Sequence, residues 1–115
     1  MTFYLFFDTI ILEKRYIMKM IHIRNFDYEL VDDDNKCFNK EEIEEKLSLT
    51  DYFDTFDYIF GDYAYDKVRL KGFYENTNKK AKDYNKIQYL EEYKKNFCSF
   101  GSKCFLLKKI KKNTL

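Results

Sequence analysis

Two neighbouring strand-like segments constrain this chain more than any other feature. They are Tyr58-Ile-Phe-Gly-Asp-Tyr63 and Lys67-Val-Arg-Leu-Lys-Gly-Phe-Tyr74. Runs of this length that are rich in β-branched and aromatic residues favour strands, and their close spacing favours a hairpin. In the second run Val68 and Leu70 alternate with Arg69 and Lys71. The sequence therefore predicts a hairpin with one core face and one basic face.

Upstream of this hairpin, the sequence predicts another hairpin and then a helix. Met20-Ile-His-Ile-Arg24 and Tyr28-Glu-Leu-Val31 are short strand-like runs joined by a short turn. Asn39 is placed as a helix N-cap, with Glu42 three residues later in the position of a capping box. We expect a helix from about residue 39 to residue 48.

Downstream of the central hairpin, a loop, a helix and a strand are predicted. Residues 75–86 are rich in Asn and Lys and indicate a long loop. Asn85 and Gln88 form a second capping-box pattern, and apolar residues follow at helical spacing until Gly101. Residues 103–110 indicate a closing strand. The predicted fold class is α+β, a mostly antiparallel sheet with two helices packed on one face.

A chain of 115 residues with 45% apolar and 36% charged residues is expected to form one globular domain. We assign this domain to residues 18–111, with an N-terminal extension at 1–17 and a basic tail at 112–115. The extension is either an extra strand or an over-extended start, with Met1, Met18 or Met20 as the first residue. Its apolar run is interrupted by Asp8 and is too short to span a bilayer. We therefore expect a cytoplasmic protein that does not engage membranes.

The residues that commonly carry chemistry are sparse in this sequence. Three cysteines without a C-x-x-C spacing and a single histidine, His22, exclude a disulfide framework and a zinc site of the usual spacing. The sequence predicts no metal, no cofactor and no catalytic residues. A small metal-dependent hydrolase built on Asp57 and Asp62 is a lesser alternative. The structural alternative is that Asp62 forms an ion pair with Arg69, since an unpaired charge in an apolar strand is costly.

The net charge of +1 hides a strong asymmetry along the chain. Residues 1–66 carry 7 basic and 16 acidic side chains, whereas residues 67–115 carry 14 and 4. The basic half mixes lysines with tyrosines, a combination that binds phosphates and stacks on bases. The leading hypothesis is a non-enzymatic domain that engages RNA or a ribonucleoprotein. The candidate nucleic-acid-binding residues are Arg69, Lys71, Tyr74, Lys79, Lys80, Lys82, Tyr84 and Lys86.

Two other interpretations of the charged half stay open. The acidic segment of one chain could meet the basic segment of another, which predicts a protein-interaction or self-associating module, including a homodimer. Charge runs are also often simply a solvated face, and the scarcity of Pro, Ala, Gly and Arg here indicates an AT-rich coding bias that enriches Lys on its own.

Three stretches of the sequence resemble the YutD-like family of Firmicutes and related wall-less bacteria. They are the run Phe56–Tyr74, the segment Ile87-Gln-Tyr-Leu-Glu-Glu-Tyr93, and Asn96-Phe-Cys-Ser-Phe-Gly101. Two positions depart from the family pattern, with Tyr63 in place of a Trp and Asp66 where Gly is common. The resemblance covers about residues 20–110. It implies a small cytoplasmic α+β domain and leaves residues 1–17 outside it.

Overall fold

The computed structural model describes residues 19–98 and 103–111. The strands are β1 (Met20–Ile23), β2 (Phe26–Asp33), β3 (Tyr58–Ala64), β4 (Lys67–Phe73) and β5 (Cys104–Lys109). The helices are α1 (Lys40–Ser48) and α2 (Leu90–Phe97). All strand neighbours are antiparallel, in the order β1-β2-β5-β3-β4. The predicted α+β class is confirmed, whereas the extension at 1–17 and the tail at 112–115 lie outside the described residues.

The closing strand occupies the middle of the sheet. β5 pairs with β2 on one side and with β3 on the other, so it joins the two predicted hairpins into one sheet. Its four residues from Cys104 to Leu107 are all buried. A strand that is buried on both faces carries a continuous apolar run, and this segment has one. Because consecutive residues of a strand point to opposite faces, the burial of all four shows that both faces of the sheet are covered at β5.

The two helices cover opposite faces of the sheet, so the prediction that both pack on one face is wrong. The first core lies beneath α1 and contains Ile21, Ile23, Tyr28, Ile43, Leu47, Ile59, Val68, Phe105 and Leu107. The second core lies beneath α2 and contains Phe60, Phe73, Leu90, Cys104 and Leu106. Alternate residues of a strand point to opposite faces, and β5 supplies Phe105 to one core and Leu106 to the other.

The start of α1 agrees with the sequence. Asn39 Oδ1 accepts a hydrogen bond from the Glu42 N–H at 3.0 Å, which confirms the predicted N-cap. The Glu42 carboxylate accepts the Tyr63 hydroxyl at 3.3 Å. Ile43 and Leu47 lie one turn apart and bury one side of the helix. α1 is therefore a one-sided cover whose other positions face solvent.

The far end of α1 is tied to the first hairpin by one guanidinium. Arg24 occupies the β1–β2 turn with a positive φ of 57°. Its Nη1 donates to the carbonyls of Leu47 and Thr50 at 3.2 and 3.1 Å, and to Asp54 Oδ1 at 3.0 Å. The carbonyls at a helix C-terminus have no partner within the helix, so a cation there stabilises the helix end.

The start of α2 differs from the sequence prediction. A short 3₁₀ turn at 87–89 precedes the helix, which begins only at Leu90, so Asn85 is not its N-cap. The Asn85 side chain accepts the Lys82 N–H at 2.6 Å, and the Asn85 carbonyl accepts the Tyr74 N–H at 2.8 Å. The first bond closes a short 3₁₀ turn at 83–85, and the second lies next to a bridge between Tyr74 and Lys86 at the end of β4. This long-range pairing overrides the local capping signal.

Two glycines let aromatic rings lie directly on the strands. A Cβ at Gly61 would stand 2.1 Å from the Phe105 ring, and one at Gly72 would stand 2.3 Å from the Phe56 ring. Both distances are far inside van der Waals contact, so any larger residue forces the ring to move.

In the described part of the chain, no helix has the length and apolar character needed to cross a membrane.

Candidate functional site

An open groove of about 500 Å³ lies where β4, the loop at 83–89 and α2 meet. We call it the aromatic groove. Its floor and walls come from elements that are packed on the second core, so its shape is set by the fold. Its lining residues are Lys71, Asp83, Tyr84, Tyr89, Glu92, Tyr93, Asn96 and Phe97.

Lys71 stands at the centre of the aromatic residues. Its Nζ lies 5.4 Å from the centroid of the Phe73 ring, 5.8 Å from that of Tyr84 and 5.5 Å from that of Tyr93. Among the residues that the structure describes, no carboxylate lies within 4.0 Å of this ammonium. Ring faces attract a cation, yet they do not accept its three N–H donors as an oxygen would.

Two rings on the groove are exposed to solvent to an unusual degree. Tyr84 and Phe97 each expose 64% of their surface. The Phe97 ring stacks on Tyr93 with centroids 4.9 Å apart, and Tyr93 in turn meets Phe60 and Phe73 edge to face. Burial is the largest of the causes that raise the pKa of Tyr93. The exposed Phe97 ring therefore lies against Tyr93, which is itself packed on the second core.

The structure assembles only part of the predicted nucleic-acid-binding set. Lys71 and Tyr84 come together in the aromatic groove, and Lys79, Lys80 and Lys82 are exposed on the preceding loop. The other three predicted residues, Arg69, Tyr74 and Lys86, do not line the groove. The helix residues Tyr93, Asn96 and Phe97 were not among the predicted binding residues.

Tyr74 is unavailable for stacking on a base. It is buried, its ring lies 4.6 Å from the centroid of the Phe56 ring, and its hydroxyl is 3.2 Å from Thr55 Oγ1. The assignment of Tyr74 to a nucleic-acid-binding surface is therefore wrong. Lys86 is half-buried, with its Nζ 3.9 Å from Asp83 Oδ1.

Arg69 is engaged by the buried carboxylate of Asp62. Nε and Nη2 of Arg69 donate to the two Asp62 oxygens at 3.0 and 2.5 Å, across directly paired positions of β3 and β4. Cys98 Sγ donates to Asp62 Oδ2 at 3.2 Å. The hydrogen bond to Asp62 is the main cause that raises the pKa of Arg69 above its usual value. This cluster ties the central hairpin to the end of α2.

Asp57 is also buried and serves the long loop. Its Oδ2 accepts the Glu75 N–H at 2.8 Å and the Asn78 amide at 2.9 Å, while Lys111 Nζ lies 3.6 Å from its Oδ1. Burial disfavours the charged form, but these donors outweigh it and lower the pKa of Asp57 below its usual 3.8. Asp57 thus anchors the start of the loop that precedes the aromatic groove.

Neither a metal site nor a reactive thiol is formed by the described residues. They contain no group of three or more His, Cys, Asp or Glu side chains placed to hold a metal ion. Burial raises the pKa of Cys37 and Cys98 to about 11 and that of Cys104 to about 12. At neutral pH these thiols are protonated and are weak nucleophiles.

The sequence signal for the groove residues on α2 is their helical spacing. The spacing of Leu90, Tyr93 and Phe97 predicts an apolar helix face but does not show which of these residues is buried. α2 is only eight residues long and ends at Phe97. Leu90 is buried, Tyr93 is half-buried and Phe97 is exposed.

The fold and the groove together define a class of protein: a small α+β domain with one antiparallel sheet between two helices and an aromatic groove on one side. The family model described as "Putative antitoxin YutD-like" matches residues 22–108. The chain therefore belongs to the YutD-like family.

A similar sequence and a solved structure, both named YutD and both from Bacillus subtilis, support this assignment. The chain is 42% identical over 93 residues to "Putative antitoxin YutD" of Bacillus subtilis (strain 168), a match that covers 81% of this chain and all of the relative. The solution NMR structure of protein yutD from B. subtilis matches with a TM-score of 0.66 at 40% identity, over 84% of this chain and 86% of that one.

Proposed function

We propose that this chain is a non-enzymatic binding domain that holds a protein partner in the aromatic groove. The observation that carries the proposal is the pair of exposed rings, Tyr84 and Phe97, that line the same groove as Lys71. Aromatic residues that project from a rigid base are typical of the energetic centre of protein interfaces. The word antitoxin in the names of the relatives supports a toxin as the partner.

The charges of the groove also favour a protein over a nucleic acid at this place. Asp83 and Glu92 line it together with Lys71. A surface that binds a phosphate chain usually has a continuous positive potential, and two carboxylates interrupt it here. Mixed charges around apolar rings are instead common in protein interfaces, which have an apolar centre and a polar rim.

A growth-rescue assay tests this function. The chain is produced together with growth-arresting proteins expressed from a library of its own genome. We expect rescue from at least one of them, and loss of rescue when Tyr84→Ser and Phe97→Ser are combined. Tyr52→Ser is the matched control, because Tyr52 is 63% exposed and lies outside the groove. Absence of rescue, or rescue that survives the double substitution, would rule the proposal out.

RNA binding is a second candidate, favoured by a separate observation. Lys79, Lys80 and Lys82 are all exposed on one short stretch of loop, next to the exposed Tyr84. Clustered lysines beside an exposed ring can hold a single strand through its phosphates and one base. The loop itself is anchored at Asp57 through the Asn78 amide, so these lysines project from a fixed base.

Fluorescence anisotropy with a mixed-sequence single-stranded RNA tests this candidate. We expect binding at low salt that weakens as salt increases. Replacing the three loop lysines with Gln should weaken binding, whereas Gln at the exposed Lys36, Lys40 and Lys46 should not. Binding that is undetectable at low salt, or equally sensitive to both triple substitutions, would eliminate RNA as the ligand.

A further inference from the structure

We infer that the aromatic groove takes an extended peptide segment in which an acidic side chain stands beside an aromatic one, with its carboxylate on Lys71 Nζ. This inference rests on the proposed protein-binding function and adds the chemistry of the partner. It comes from three features of the groove: a cation with no carboxylate within 4.0 Å among the described residues, exposed rings that line the same groove, and carboxylates on its rim.

The ammonium of Lys71 lies among rings and has no ion-pair partner among the residues that the structure describes. Three rings lie 5.4 to 5.8 Å from it, and the Lys71 side chain is half-buried. No carboxylate of the described residues lies within 4.0 Å of it. Apolar walls strengthen a charge-assisted hydrogen bond to such a group, so an incoming carboxylate is the ligand that it fits best.

The exposed rings define what must accompany that carboxylate. Tyr84 and Phe97 line the same groove as Lys71, and both present ring surface to solvent. Aromatic pairs interact best in offset or edge-to-face contacts at centroid distances of about 4.5–7 Å. A volume of about 500 Å³ is within the usual range of ligand pockets and accommodates more than one side chain. An aromatic side chain next to the acidic one therefore covers the rings.

The acidic rim restricts the negative charge of the partner segment. Asp83 Oδ1 lies 3.9 Å from Lys86 Nζ, and this ammonium compensates part of the charge of the Asp83 carboxylate. Glu92 has no ion-pair partner among the described residues. A polyanion would place further charges near Glu92 and be repelled, whereas a single acidic residue would not. The groove therefore selects a peptide with one carboxylate over a phosphate chain.

A double-mutant cycle between the protein and a peptide tests the inference. The blocked peptide Ser-Gly-Glu-Phe-Gly-Ser is titrated into ¹⁵N-labelled protein, and the dissociation constant is followed by NMR. We expect Lys71→Met to weaken binding about tenfold, which corresponds to about 1.4 kcal/mol. The peptide with Gln in place of Glu should bind the wild-type protein as weakly as the Glu peptide binds Lys71→Met. The Gln peptide should lose no further affinity when Lys71→Met is introduced.

Control variants separate a missing charge from a damaged fold. Lys67→Met removes a lysine from the same strand outside the groove and should leave binding unchanged. Lys71→Arg keeps the charge and should retain most of the affinity. Replacing Phe by Ala in the peptide should weaken binding to wild type. If the effects of Lys71→Met and of the Gln peptide are additive, Lys71 does not receive the carboxylate and the inference is wrong.

Other occupants give different results. Stronger binding of a single-stranded RNA than of the peptide, abolished by Lys71→Met, would overturn the peptide assignment, and so would a dimer in sedimentation equilibrium that Lys71→Met dissociates. Growth rescue that needs Tyr84 and Phe97 but tolerates Lys71→Met would overturn this inference while leaving the proposed function intact. If rescue tolerates all three substitutions, the proposed function fails as well.

Discussion

The ion pair of Asp62 and Arg69 has one partner that is far more vulnerable than the other. Asp62 is buried, whereas half of the Arg69 side chain is exposed to water. Arg69→Met leaves a buried carboxylate with only the Cys98 thiol as a described donor, and an unpaired buried charge costs about 3 kcal/mol. Asp62→Asn leaves an arginine that water can solvate. Urea unfolding should show the larger loss for Arg69→Met; equal losses would contradict this account.

Asp57 gives the stability of the fold a defined acid dependence. Its pKa is lowered in the folded protein relative to 3.8, so its contribution is complete above that pH and is lost as the pH falls further below it. We expect the urea midpoint of wild type to fall more steeply below pH 4 than that of Asp57→Asn. The control is Asp83→Asn, which removes a carboxylate that is 97% exposed. If the urea midpoint of Asp57→Asn falls as steeply below pH 4 as that of wild type, another group is responsible for the acid dependence.

The β3–β4 turn is the element whose sequence fits its geometry least. Ala64 pairs with Lys67, so Tyr65 and Asp66 form a two-residue turn, and their φ angles are 54° and 64°. Positive φ at both positions defines a type I′ turn, which favours Asn-Gly. Tyr65 is also 98% exposed, so no packing compensates for this conformation.

Replacing this turn should stabilise the protein. The combined substitutions Tyr65→Asn and Asp66→Gly remove a conformational cost of about 1 kcal/mol per residue. We expect a higher melting temperature in calorimetry with no change in the register of the strands. Tyr65→Phe keeps the unfavourable φ and should melt as wild type does. If the double variant melts at a lower temperature than wild type, Tyr65 stabilises the fold through contacts outside the turn conformation.

The elements differ in how far local sequence decided them. Asn39 caps α1 as predicted, because the cap and the helix that it serves are adjacent in the chain. Asn85 carries the same type of signal but pairs with Tyr74, eleven positions away, and ends a short 3₁₀ turn instead of capping α2. A capping signal specifies a helix start only when no long-range strand pairing competes for the same backbone groups.

At the scale of the whole molecule, one sheet is shared by two cores and should make them unfold together. Phe105 belongs to the core beneath α1 and Phe73 to the core beneath α2, and both are fully buried. Truncation of either to Ala should cost about 3–5 kcal/mol. We expect far-ultraviolet circular dichroism and tyrosine fluorescence to report one coincident transition in both variants. Separate transitions would indicate that one helix layer unfolds on its own.

The opposite charges of the two halves of the chain meet within the sheet. Asp62 stands opposite Arg69, and Glu29 stands opposite Lys108. Cross-strand pairs of opposite charge stabilise a sheet modestly, and they reduce the net field that a distant partner would experience. Lys79, Lys80 and Lys82 on the loop are exposed and form no ion pair with another described residue, so their positive charge is not cancelled in this way.

The sequence by itself determined the strands, the first helix and its cap, because each depends on a short-range pattern. It also determined the central hairpin and the pairing of Asp62 with Arg69, which depend on a single hairpin register. The family followed from the motifs of the same segments. Only the tertiary structure decided that β5 lies in the middle of the sheet and that the helices cover opposite faces. The same packing buried Tyr74, exposed Phe97 and gathered rings around Lys71. These outcomes depend on contacts between residues far apart in the chain, which local periodicity does not encode.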